Sequence, residues 1–92
     1  MNSNIILKDI NEIANVLTTL EAQDGFKFLQ EILSPSEIET LSKRWRILKM
    51  LDKGISQREI AKQLNVSLCK VTRGAKILKD TNAISSNLIK EQ

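Results

Sequence analysis

Apolar residues in this chain recur at spacings of three and four and nowhere alternate with polar ones. That periodicity is the mark of amphipathic helices and argues against a half-buried strand. One proline and three glycines leave few interruptions, and Ala, Leu, Ile, Lys and Glu dominate, all compatible with helix. The fold class expected is therefore all-α. Ninety-two residues allow one domain with a modest core, for which a partner chain is a natural supplement.

The helices can be placed by their breaks. Ile6, Ile10, Ile13, Leu17 and Leu20 form one stripe, predicting a helix from about Asn4 to Leu20. Gln23-Asp24-Gly25 reads as a break, with a second helix from Asp24 or Gly25 to Ile32. Phe26, Phe28, Leu29, Ile32 and Leu33 spread around much of that helix, which suggests burial against a second subunit. Ser34-Pro35-Ser36-Glu37 is a capping box with proline in the first turn, opening a helix to about Leu51. Its inner stripe is read as Ile38, Leu41, Trp45 and Leu48, which makes Trp45, the only tryptophan, a core residue. Gly54 closes it. A weak last helix includes Ile84, Leu88 and Ile89, with fraying ends.

Between them, QREIAKQLNVSLCKVTRGAK, residues 57–76, carries the pattern of a helix-turn-helix. Ser56 and Glu59 make a second capping box. Ile60 and Leu64 face inward, Ala61 is small where helices approach, and Asn65 suits a left-handed turn. Val66 fills the underside of that turn, Ser67 caps the second helix to about Lys79, and Val71 anchors it. The expected organisation is one domain over 1–92, with core and dimerisation helices in 1–55, a reading head in 56–79 and a C-terminal helix in 80–92.

Charge coincides with this motif. Ser42–Asp80 holds eleven Lys or Arg against three Asp or Glu, a balance of +8; the rest of the chain balances at −5, so the net charge is +3. A basic half is the footprint of a polyanion partner, and double-stranded DNA is the partner expected. Gln57 and Arg58 begin the first helix of the motif, while Leu68, Cys69 and Thr72 stand near the start of the second, placed to meet base edges. Lys70, Arg73, Lys76 and Lys79 are candidates for phosphate contacts.

Other chemistries find little support. Without histidine, both the usual neutral-pH general base and a Cys/His zinc site are lacking. Glu37 and Glu39 stand two apart on a helix and face different ways. Enzymatic activity is not expected, nor a metal. Cys69 reads as a small contact residue rather than a redox sensor. The apolar run Ile5-Ile6-Leu7 is too short for a signal peptide or membrane span, so no membrane partner is expected and the setting is taken as cytoplasmic.

The run from Leu33 to Lys79 resembles the bacterial tryptophan repressor family. The resemblance rests on Leu33-Ser34-Pro35 followed by Glu37, on Arg44-Trp45-Arg46-Ile47, on Ser56-Gln57-Arg58-Glu59 and on Thr72-Arg73-Gly74. It implies an interlocked helical homodimer that represses transcription from a palindromic operator, with L-tryptophan as corepressor. It also implies operator contacts at Gln57, Arg58 and Thr72 and a phosphate contact at Lys79. A ligand site is implied at Leu33, Ser34, Arg44, Arg73 and Gly74, where Arg73 pairs with the carboxylate, Arg44 stacks on the indole, and Gly74 leaves room. The chain departs from the family pattern at Ile77, where a serine accepts from the ligand's ammonium, and at Lys70, which replaces a threonine. Ser34 also replaces a threonine, and the turn at Gly54-Ile55-Ser56 is one residue shorter. A DNA-binding regulator without a ligand, and a basic helical module for an acidic protein, stay open beside this reading.

Overall fold

Six helices and no strand make up the chain, all 92 residues of which are described by a computed structural model. They are α1 (Ser3–Thr19), α2 (Ala22–Ile32), α3 (Pro35–Asp52), α4 (Gln57–Leu64), α5 (Leu68–Lys79) and α6 (Ile84–Lys90). The all-α class is as expected. The chain divides inside α3 into two compact units, Met1–Ile38 and Glu39–Gln92.

In the first unit, Asn2 caps α1 by accepting from the Ile5 N–H at 3.0 Å. The break before α2 lies at Leu20 and Glu21, both extended, so Gln23-Asp24-Gly25 is helix rather than the expected interruption. One glycine is tolerable inside a helix, and Asp24 in the first turn favours the positive end of the helix dipole. No residue of α1 or α2 is buried. Ile5, Ile6, Ile10, Val16, Phe26 and Ile32 are all exposed. The Ser34 capping box forms in full: the Ser34 N–H donates to Glu37 Oε1 at 2.8 Å, and the Glu37 N–H donates to Ser34 Oγ at 3.2 Å. The Ser34 backbone N–H, and after it the Ser34 hydroxyl, hold the Glu37 carboxyl below its ordinary range.

The second unit owes its shape to two left-handed turns. Gly54 has φ 85°; its N–H donates to Leu51 O at 2.9 Å and that of Ile55 to Met50 O at 3.1 Å, a Schellman pair that ends α3. Asn65 has φ 53° and does the same for α4, with its N–H on Lys62 O and that of Val66 on Ala61 O. Ile55 and Val66, the residues after each turn, fold back on a core of Ile47, Met50, Ile60 and Val71. Ser56 and Ser67 cap α4 and α5, accepting from Glu59 N–H and Lys70 N–H. The second capping box is only half made: Glu59 accepts from Gln63 Nε2 at 3.0 Å instead of turning back to Ser56. Helix α6 returns along α5, where Ile89 is buried and the fully buried Ser86 hydroxyl donates to Leu78 O at 3.2 Å.

The stripe expected on α3 needs correction. Its buried residues are Ile47, Leu48 and Met50, whereas Leu41 is exposed and Trp45 is 41% exposed, so Trp45 is not a core side chain within this chain. Apolar residues lie on two faces of α3. Ile47, Met50 and Leu51 pack toward α4 and α5, while Leu41, Trp45 and Leu48 border a cavity, which Ile47 also reaches. A single-stripe reading had to choose one.

Candidate nucleic-acid interface and adjoining cavity

Helix α5 presents different chemistry on its two sides. At about 3.6 residues per turn, Leu68, Lys79, Thr72, Lys76, Cys69 and Arg73 fall within one arc of roughly 140°. All six are exposed. Val71 and Gly74 on the opposite side are buried. The arc carries three cations, one hydroxyl, one thiol and the half-exposed Leu68. Gln57, at the start of α4, joins it: the Thr72 hydroxyl lies 3.0 Å from Gln57 Oε1 and 3.0 Å from Leu68 O. Arg58 is exposed beside Gln57. Residues from two helices of the motif are thus brought to one face.

The cations are free to meet a partner. The only ion pair in the chain joins Lys43 to Glu39 at 3.1 Å. The other ten basic residues of Ser42–Asp80, including Arg58, Lys70, Arg73, Lys76 and Lys79, have no carboxylate within ion-pair distance. A helix with an exposed edge of cations and short polar side chains suits a major groove, where side chains reach base edges and cations flank the phosphates.

Lys70 stands apart from that arc. It is exposed, about 60° around α5 beyond Arg73, and lines a cavity of about 250 Å³ between α3, α5 and α6. Arg44, Arg73, Gly74 and Ile77 line the same space, as do Trp45 and Ser85. A cavity of about 150 Å³ accommodates benzene, so this one has room for a bicyclic ring. Three of the residues expected at a ligand, Arg44, Arg73 and Gly74, come together here. Leu33 and Ser34 are not in its lining and belong to the first unit. The Ser34 hydroxyl is engaged by the Glu37 N–H and faces Ser36 Oγ at 3.2 Å.

Gly74 does more than leave room. A Cβ there would stand 2.8 Å from Ile47 Cγ2, 3.3 Å from Leu51 Cδ1 and 3.5 Å from Leu48 Cδ2. Its smallness lets α5 lie close against α3 at the edge of the cavity. Sequence reasoning missed Leu41 and Trp45 as lining residues because it assigned them to the core. It missed Ser85 because nothing local foretells that α6 brings a hydroxyl back to α3. No cluster of three or more His, Cys, Asp or Glu side chains is placed to hold a metal ion, and no helix is long and apolar enough to cross a membrane.

Comparison with known proteins agrees with this geometry. The family model described as Trp repressor protein matches residues 8–92. A Trp operon repressor homolog of Xylella fastidiosa is 42% identical over 72 residues, covering 76% of this chain and 78% of that protein. The homolog of Vibrio parahaemolyticus is 31% identical over 85 residues, covering 90% and 82%. That of Chlamydia trachomatis is 38% identical over 68 residues, covering 68% and 72%. The family match takes in α2 to α6 and most of α1, well beyond the Leu33–Lys79 run that carries the motifs. With nearly the whole length matched and the helix-turn-helix in place, the chain belongs to the Trp repressor family.

Proposed function

We propose that the protein is a transcriptional repressor that reads duplex DNA with α5 and answers to a small aromatic acid held between α3 and α5. The observation that carries this reading is the exposed arc of α5, with its unpaired cations and with Gln57 hydrogen-bonded to Thr72. Gln57, Arg58, Leu68, Cys69 and Thr72 approach base edges. Arg58 can fork onto a guanine, and Leu68 can meet a thymine methyl. Arg73, Lys76 and Lys79 approach phosphates.

A homodimer is the acting form in this reading. The first unit exposes an apolar surface on both α1 and α2 that a second copy would cover. Two heads then read half-sites about one DNA turn, roughly 34 Å, apart, the spacing common to helix-turn-helix dimers, the Trp repressor among them. The setting is the cytoplasm, where the operator is met.

L-Tryptophan is the reference ligand for the cavity. Arg73 would receive the carboxylate and Arg44 would lie against the ring, since guanidinium groups both fork onto carboxylates and stack on aromatic faces. Leu33 and Ser34 would contribute from a second chain. The ligand would act by favouring the head orientation that fits successive major grooves.

Selection of bound duplexes from a random pool, with and without L-tryptophan, tests the reading. A two-fold symmetric consensus with half-sites one turn apart supports it. Binding without sequence preference, or without symmetry, refutes it.

A further inference from the structure

Arg46, Lys49 and Lys53 are basic residues that neither the reading face nor the cavity uses, and they stand in one row on α3. At 3.6 residues per turn they span about 60° of the helix circumference and about 10 Å of its length. The last turn carries over to Lys53, whose N–H donates to Lys49 O at 3.2 Å. All three side chains are exposed, and none has a carboxylate within ion-pair distance. Glu39, two turns before Arg46 on the same side, is taken by Lys43 at 3.1 Å. A helix dipole favours cations at its C-terminal end, but that effect fades within the last turn and does not account for Arg46.

The row and the reading face are back to back. Gly74 of α5 faces Ile47, Leu48 and Leu51, which lie about 180° around α3 from the row. On α5 the arc centred between Thr72 and Lys76 is likewise about 180° from Gly74. The two basic faces therefore point away from the α3–α5 contact in opposite directions. Packed helices have axes about 8–10 Å apart and are about 10–12 Å across, so the faces stand about 20 Å apart. A duplex is too stiff to turn back within that distance and meet both. Ser42, one turn before Arg46, continues the row, and no exposed apolar side chain stands within it. Protein interfaces centre on aromatic or apolar anchors and are poor in lysine, whereas a phosphate backbone needs only the cations. We propose that Arg46, Lys49 and Lys53 form a second DNA-binding surface that takes the backbone of another duplex without regard to sequence, so that the protein joins two segments of DNA. This goes beyond the reading head and leaves its contacts as described.

Capture of one duplex by another tests this. The full-length protein is bound to a bead-held duplex carrying the selected two-fold consensus, which occupies both heads, and a fluorescent duplex of unrelated sequence is added. The unaltered protein is expected to retain the second duplex. Affinity for it should fall about 40-fold per chain between 50 and 200 mM salt, as three phosphate contacts require. The combined variant Arg46→Gln, Lys49→Gln, Lys53→Gln is expected to lose the second duplex. Its affinity for the consensus duplex by fluorescence anisotropy, and its helicity by circular dichroism, should be unchanged. No retention by unaltered protein seated on the bead duplex overturns the inference, as does retention that survives the triple substitution. Retention of phosphatidylserine vesicles in place of the second duplex overturns it too. If the unaltered protein selects no consensus, the repressor reading fails, and the row is judged on unselected duplex. There the triple substitution must make the log–log salt slope shallower by about 2.7 per chain, and an unchanged slope overturns the inference.

Discussion

Replacing Gly74 by alanine pits two effects of known sign against each other. Alanine in a helix interior gains about 1 kcal/mol over glycine from backbone entropy. The added methyl would stand 2.8 Å from Ile47 Cγ2, closer than carbon atoms approach, and 3.3 Å from Leu51 Cδ1. Ile47 cannot swing clear. It is only 3% exposed, and its γ-methyl is attached to a branched Cβ whose rotamer the helix restricts. Relief requires α5 to move away from α3, and overpacking of this kind costs about 1–3 kcal/mol. With the contact this short the upper part of that range applies, leaving a net loss of about 1–2 kcal/mol. In a domain of this size Tm falls by about 4–8 °C for each kcal/mol. Thermal unfolding followed by circular dichroism at fixed protein concentration measures it. Gly25 supplies the opposite control: a Cβ there meets nothing within 4 Å and the residue lies inside α2, so Gly25→Ala should raise Tm. If Gly74→Ala is as stable as the unaltered protein, the close α3–α5 contact described above is wrong.

Three further outcomes follow from the same geometry. Asn65 holds φ 53°, so Asn65→Gly should be nearly neutral while Asn65→Ala loses about 1–2 kcal/mol by urea unfolding. The depressed carboxyl of Glu37 supports the start of α3 at pH values above the ordinary glutamate pKa of 4.5; that support is lost as pH falls through the lower folded value, and an acid titration of helicity should show the loss in the unaltered protein and not in Glu37→Gln. Lys76→Ala should weaken DNA binding alike on all sequences and make the log–log salt slope shallower by about 0.9 per head.

What the sequence disclosed was local, and what it concealed depended on tertiary contact. The capped starts at Ser34, Ser56 and Ser67 and the left-handed turns at Gly54 and Asn65 are each encoded within a few residues, and the structure has all five. Glu59 illustrates the limit of such signals, because a competing donor one turn on, Gln63, takes the carboxylate that the motif assigns to Ser56. Trp45 illustrates another. Periodicity identifies an apolar face but not which neighbour covers it, and α3 has two such faces with different fates. The pairing of Gln57 with Thr72 across 15 residues, and the arrival of Ser85 at the cavity, required the packing of α4 and α6 on α5. The charge pattern groups Lys70 with the candidate phosphate contacts; the helix puts it at the cavity, just beyond the edge of the outward arc.

One residue belongs to both sides of α5. Arg73 lines the cavity with Arg44 and Lys70, and it also borders a shallower hollow on the outward face with Cys69, Thr72 and Lys76. In the proposed function a ligand carboxylate and a DNA phosphate would therefore compete for the same guanidinium, even where the ligand improves the orientation of the helix. The two effects are separable because they enter different terms. Orientation changes affinity at every salt concentration by the same factor, whereas withdrawing one phosphate contact makes the log–log salt slope shallower by about 0.9 per head. Linkage requires the converse as well: bound DNA must alter ligand affinity by the factor by which ligand alters DNA affinity. The expected result is a shallower slope when an aromatic acid is bound, whichever way affinity at one salt concentration moves. In Arg73→Gln, which contributes no charge to either partner, the slope without ligand should already be shallow and ligand should leave it unchanged. A slope in the unaltered protein that is insensitive to saturating ligand would show that Arg73 serves only one side, and the sharing inferred from its position would be refuted.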